Sequence, residues 1–289
     1  MSINGNVSIL SLVFMFISAV LSIVLPIAAV IWLAMKKRLK VKALLIAALL
    51  FIVFVLVLER GMHSVVLGAN PQSSFILKNP LLYMLYGGFA AGIFEETARL
   101  IGLKFLLKVK PDESINTGIS YGLGHGGIEA IIIAGLASIS NITMSILINN
   151  GMTESILKQI PAAQLGATIQ GMNSLISMQP TVFLLSGIER VAAIVVHISL
   201  TLFVFKAVKE KKWSYYFAAI VLHASVNFAP ALYQVGVIKS IYLVEFFVFV
   251  LAVLLAIAAY KVTFSKKQQV EVGQADIEEE KNASLDKKA

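Results

Sequence analysis

The sequence predicts an all-α protein, a polytopic bundle of transmembrane helices. Three observations carry that expectation. Apolar residues make up 58% of the 289 positions and charged ones only 14%, with a mean hydropathy of +0.86. They gather in segments close to the ~20 residues that a ~30 Å hydrocarbon core requires. Basic residues collect in every second connection between those segments. A water-soluble domain of this length carries far more charge, so lipid must solvate most of this surface. Lipid-facing backbone must be hydrogen-bonded within its own segment, and no strand-like alternation is present, which leaves helices.

Seven spans follow in order: 9–35, 42–65, 81–107, 115–141, 181–206, 213–234 and 239–261. The first is too long for a cleaved signal peptide, and neither a basic leader nor a small-residue cleavage site flanks it. The second ends in Glu59, Arg60 and His63, read as interfacial. Spans three to six carry polar residues in their middles. Between spans four and five, 142–180 mixes polar residues with Ile, Leu and Met. It suits either a long loop or an amphipathic stretch on the outer interface, and an eighth, re-entrant element has room there. The seventh span has Glu245 near its outer start, also read as interfacial. The bundle thus occupies 1–264, with a four-helix core at about 81–234. The polar, charged segment 265–289 is expected to be a disordered cytoplasmic tail.

Charge sets the orientation. Lys36, Lys37, Arg38, Lys40 and Lys42 follow the first span; Lys104, Lys108 and Lys110 close the third. Lys206, Lys209, Lys211 and Lys212 separate the fifth from the sixth, and Lys261, Lys266 and Lys267 follow the seventh. The other connections hold only Arg60, Lys78, Lys158 and Lys239. The N-terminus is therefore expected outside and the C-terminus in the cytoplasm of a cell membrane. The net charge of +8 needs no nucleic acid to explain it, because these clusters account for it. With no cysteine, disulfides, thiolate catalysis and Cys-ligated metal are excluded.

The chemistry lies in the middles of the spans. Glu95, Glu96 and Arg99 share neighbouring positions on one helix, and Glu95 and Arg99 share a face at i,i+4. His125 and Glu129 repeat that spacing in the next span. Glu189 and Arg190 return to nearly the face of His197, and His223 to that of Asn227. At 1.5 Å per residue, Glu95 lies roughly 21 Å, His125 15 Å, His197 24 Å and His223 15 Å from the start of its span. All four land near mid-membrane. Six ionised groups (Glu95, Glu96, Arg99, Glu129, Glu189 and Arg190) facing lipid would cost on the order of 15–20 kcal/mol. They must therefore face one another or a wet cavity, with glycines such as Gly92 and Gly124 letting helices approach.

Arg99 and Arg190 are most simply counter-ions, and Glu129 and Glu189 structural partners. A lone intramembrane histidine is usually a helix-to-helix hydrogen bond, but three at one depth with a carboxylate point to function. Glu95 or Glu96 can serve as general base on water, with His223 and Asn227 as oxyanion donors. His125, His197 and His223 with a glutamate can equally ligate zinc, although the HExxH pattern is absent. A proton-coupled transporter would use the same residue types, though no internal repeat supports one, and a non-catalytic scaffold remains open.

The strings Phe94-Glu95-Glu96-Thr97-Ala98-Arg99 and Gly122-Leu123-Gly124-His125-Gly126-Gly127-Ile128-Glu129, then Glu189-Arg190 with His197, and His223-Ala224-Ser225-Val226-Asn227, carry a resemblance. Over about 81–230 the chain resembles the YhfC family of intramembrane peptidases. That family is similar to the wider group holding the PrsW and CPBP/Abi (CAAX-processing) membrane proteases. The resemblance implies an intramembrane endopeptidase of glutamate type, without cofactor, acting on a membrane protein or peptide. It places Glu95 as the water activator, and His125, His223 and Asn227 as the other polar residues. His197 matches the third PrsW-like motif. Arg99 follows Glu96 by three residues, where PrsW-like chains have Lys and CPBP chains a longer spacing. Which glutamate is the base is therefore open. The implied alternative is a zinc peptidase with His125, His197 and His223 as ligands.

Overall fold

The computed structural model describes residues 5–68, 74–109 and 114–264. The expected tail, 265–289, and Lys110 lie outside the described residues.

The described residues form helices joined by short connections, with no strand among them. In order it forms α1 (Ile9–Met35), α2 (Val41–Val66), the short α3 (Ser74–Lys78), α4 (Pro80–Val109) and α5 (Ile115–Asn149). Then come α6 (Thr153–Leu157), α7 (Ala162–Ser177), α8 (Pro180–Glu210), α9 (Trp213–Gln234) and α10 (Ile241–Thr263). Six of these, α1, α2, α5, α8, α9 and α10, are long and apolar enough to cross a membrane. The third expected span, α4, has 30 residues, about 45 Å of helix. It fails on apolarity because Glu95, Glu96 and Arg99 occupy its middle.

The 142–180 stretch is not a long loop. α5 runs on to Asn149, and α7 lays Met172 and Leu175 into a small core with Val7, Met15, Ile148 and Phe183. Its 16 residues extend about 24 Å, short of a ~30 Å core. Two spans also contain wide, π-helical turns, Ile52–Glu59 in α2 and Ala130–Gly135 in α5. Each inserts a register shift next to a carboxylate, Glu59 or Glu129; such turns are rare and gather at functional sites.

The main core joins α8 to α2, α4, α5, α9 and α10 through residues such as Leu103, Tyr121, Leu200, Val204 and Val248. α4 and α9 form the most extensive contact, and α8 packs against α1, α5, α9 and α10. Glycines set the closest crossings. A Cβ at Gly92 would stand 2.7 Å from the Ile220 carbonyl, and one at Gly124 only 2.3 Å from that of Leu44. The basic connections meet at one end: Lys104 lies over the Trp213 ring, Lys206 reaches the Val262 carbonyl, and the Lys40 amide donates to Ser120. The opposite end is tied by Asn149 to the Val7 backbone and by Tyr83 to Gln234.

Two residues depart from the sequence reading. Glu59 and Glu245, expected at the interface, are covered by neighbouring helices, 5% and 9% exposed. Glu245 shares the buried face of α10 with Val244, Val248 and Ala252.

Candidate active site

Four helices converge as the depth estimate required. α4 supplies Glu95, Glu96 and Arg99; α5 supplies His125 and Glu129; α8 supplies Glu189, Arg190 and His197; α9 supplies His223 and Asn227. Glu96, Arg99 and His125 are wholly buried, and Glu95, His197 and His223 nearly so. None faces lipid.

Glu95 is the hub. Its Oε2 lies 2.8 Å from His125 Nε2, 3.4 Å from the Arg99 guanidinium and 3.7 Å from His197 Nδ1. Its Oε1 lies 3.7 Å from His223 Nε2. Thus the carboxylate touches groups from three other positions across the bundle. The aromatic cage is equally tight: the His125 and His197 rings are 5.0 Å apart, and Phe51 meets His125 edge-on at 5.0 Å.

Glu96 has a different task. Its Oε1 pairs with Arg99 and accepts from His223 Nδ1 at 2.7 Å. A carboxylate that accepts the Nδ1 proton leaves Nε2 with its lone pair, and that atom faces Glu95. The Arg99 guanidinium also lies against His197 Nδ1. His197 Nε2 faces Glu129 Oε2 at 2.6 Å. Arg190 holds the other Glu129 oxygen at 2.9 Å and pairs with Glu189. Two arginine-centred clusters are therefore bridged by His197.

A cavity of about 90 Å³ opens beside these groups, reached by Glu95, Glu129, His197, His223 and Asn227. Asn227 donates to the His223 carbonyl at 3.3 Å, and its amide borders the cavity. Every residue expected at the site is thus in or beside one connected polar layer. Two features escaped the sequence reading. Pro230 lies one turn beyond Asn227 and cannot give an N–H to the Val226 carbonyl. Glu59 and His63 form a second polar group nearby; their i,i+4 spacing was visible.

The donor set suits a divalent metal. Among the described residues, Glu95, His125, Glu129 and His197 each offer one ligand atom, all within 4.8 Å of one another. Of the three histidines expected to bind zinc, His223 stands outside this group, and Glu129 takes its place. Two imidazoles and two carboxylates are ordinary zinc ligands. His125 Nδ1 and Glu129 Oε2 are buried without a well-aligned hydrogen-bond partner, and Glu129 Oε2 lies 2.6 Å from His197 Nε2. Charge agrees as well. Among the always-charged groups Glu95, Glu96, Glu129 and Glu189 pair with Arg99 and Arg190, which leaves two negative charges when all are ionised and the histidines are neutral. One dication cancels them.

The fold and this layer together define a polytopic membrane protein with a buried carboxylate–imidazole–guanidinium centre. The profile of the YhfC intramembrane metalloprotease family matches residues 21–248, and the chain belongs to that family. An uncharacterized membrane protein, YhfC of Bacillus subtilis (strain 168), is 36% identical over 257 residues, which cover 89% of this chain and 97% of that one. The match takes in most of α1, all of α2 and part of α10, beyond the four-helix core. No solved structure matches the chain.

Proposed function

We propose that the protein is a metal-dependent intramembrane peptidase, in which Glu95, His125, Glu129 and His197 hold the ion. The observation that carries this reading is the convergence of those four donors. A zinc ion bound there would supply a water acidic enough to deprotonate near neutral pH and would polarise a carbonyl.

The chain's other residues have separable tasks. Glu96 and Arg99 fix the His223 ring so that Nε2 faces the cavity, where it can take and return a proton. Asn227 presents an amide donor beside it for a developing oxyanion. Arg190 anchors Glu129 and so orients one ligand from outside. A substrate helix must unwind locally before its bond can enter so small a space. The metal-free, glutamate-type alternative rests on the contacts of Glu95 with His125, His197 and His223 and leaves the two excess charges to histidine protonation.

Metal analysis of the purified full-length protein, joined to cleavage of a transmembrane peptide library in liposomes, tests the proposal. About one zinc per chain is expected, with cleavage lost to a chelator and restored by zinc. His125→Ala should lose both ion and cleavage. Chelator-resistant cleavage that Glu95→Gln abolishes would move the assignment to the glutamate mechanism. A metal-free, inactive protein would remove the peptidase reading.

A further inference from the structure

A second polar cavity of about 360 Å³ sits at the end of the bundle away from the lysines, between α2, α4 and α9. Its lining grades inward, from exposed Gln234 through half-buried Tyr83 and His63 to buried Glu59. Its polar groups are organised. His63 Nδ1 meets the Tyr86 hydroxyl at 2.7 Å, and Nε2 lies 3.3 Å from Glu59 Oε1. Tyr83 donates to Gln234 at 2.9 Å. Glu59 Oε2 is buried with no protein partner. A carboxylate oxygen deep in a membrane bundle is costly unless something satisfies it, and water in a roomy polar cavity does so.

This cavity and the one beside Glu95 share two walls, Asn227 and Pro230. At that shared wall the helix is locally open, because Pro230 leaves the Val226 carbonyl without its helical donor. The Asn227 amide thus stands between the two spaces, a group able to hold a water.

We propose that the Glu59–His63–Tyr86 cavity is the water port of the buried centre, admitting solvent from the lysine-poor end and passing it to Glu95 across Asn227. Hydrolysis consumes one water for each bond cut. The purpose of the port rests on the peptidase reading; its existence does not. Glu59 acts here as a positioning residue that keeps the passage wet.

The chain has no cysteine, which allows a direct test. Asn227→Cys and, at the mouth, Gln234→Cys are made singly in the full-length protein, in sealed oriented vesicles. Each is treated with a charged, membrane-impermeant methanethiosulfonate. Gln234→Cys should react from the lysine-poor side, and Asn227→Cys from the same side within about tenfold of that rate. Narrowing the passage with Gly87→Leu or Ala91→Phe, or drying it with Glu59→Leu, should slow Asn227→Cys about tenfold or more and spare Gln234→Cys. A Cβ at Gly87 meets only Ala231, at 3.8 Å, so that variant has room to fold. The port is overturned if Asn227→Cys stays unreactive while Gln234→Cys reacts, if it reacts only from the lysine side, or if no narrowing variant slows it. No step requires turnover, so a labelled port beside an unsubstituted protein that cleaves nothing would refute only the peptidase reading.

Discussion

Glu95 and Glu96 are adjacent in sequence yet do different work, and the difference lies in which helix each one meets. Glu95 reaches across to His125 on α5; Glu96 stays with Arg99 and His223. This separates two kinds of variant. Glu96→Gln should keep the metal, because it is not among the four donors, and lower cleavage about 10- to 100-fold by freeing the His223 ring. Equal zinc content with reduced turnover would be the signature. Arg99→Ala should instead threaten the fold. It strands buried Glu96, and breaking a buried pair from one side costs about 3–5 kcal/mol. Denaturation in mixed micelles reads that loss, with Glu96→Gln/Arg99→Met expected to recover much of it. At this scale the sequence was informative about membership and poor about pairing. Helical spacing put Glu95, His125, His197 and His223 at one depth, where they are found. It could not say that Glu129, read as a structural partner, shares a donor group with Glu95 while His223 turns to Glu96. That depends on rotation of each helix about its axis, which no hydropathy profile contains.

Helices here are positioned by what they lack. Gly88, Gly92, Gly122 and Gly124 each sit where a Cβ would strike a neighbouring helix, at 2.3–2.7 Å. Gly92→Ala and Gly124→Ala should therefore destabilise by about 1–3 kcal/mol, through forced separation of α4 from α9 and of α2 from α5. Gly166, exposed on α7 with nothing near it, makes the opposite control. Gly166→Ala should be neutral or stabilise by up to about 1 kcal/mol through helix propensity. Thermal unfolding in one detergent compares all three. The long helices were legible because apolar length is a strong signal; most spans fall within a few residues of their expected ends. The wide turns at Ile52–Glu59 and Ala130–Gly135 were not, since nothing in the local composition marks them. Nor was the burial of Glu59 and Glu245, which depends on partners distant in sequence.

For the molecule as a whole, charge asymmetry makes the clearest forecast. The contacts of Lys104 with Trp213 and of Lys206 with Val262 gather the basic connections at one end. That end should face the cytoplasm. Reporter fusions after residue 264 should therefore be active only as cytoplasmic markers, and fusions within Thr153–Leu157 only as external ones. The reverse pattern would invert the orientation and move the water port to the cytoplasmic side.

α4 also has a history before it has a function. Its middle carries two acids and a base that would cost on the order of 8–10 kcal/mol in lipid by themselves. His125, His197 and His223, which cover that cost, belong to helices the ribosome makes later. A nascent chain ending near Val109 thus holds a segment that the insertion machinery has little reason to release into the bilayer. Biogenesis of this protein should pause there, with α4 sheltered until α5, α8 and α9 arrive to receive it.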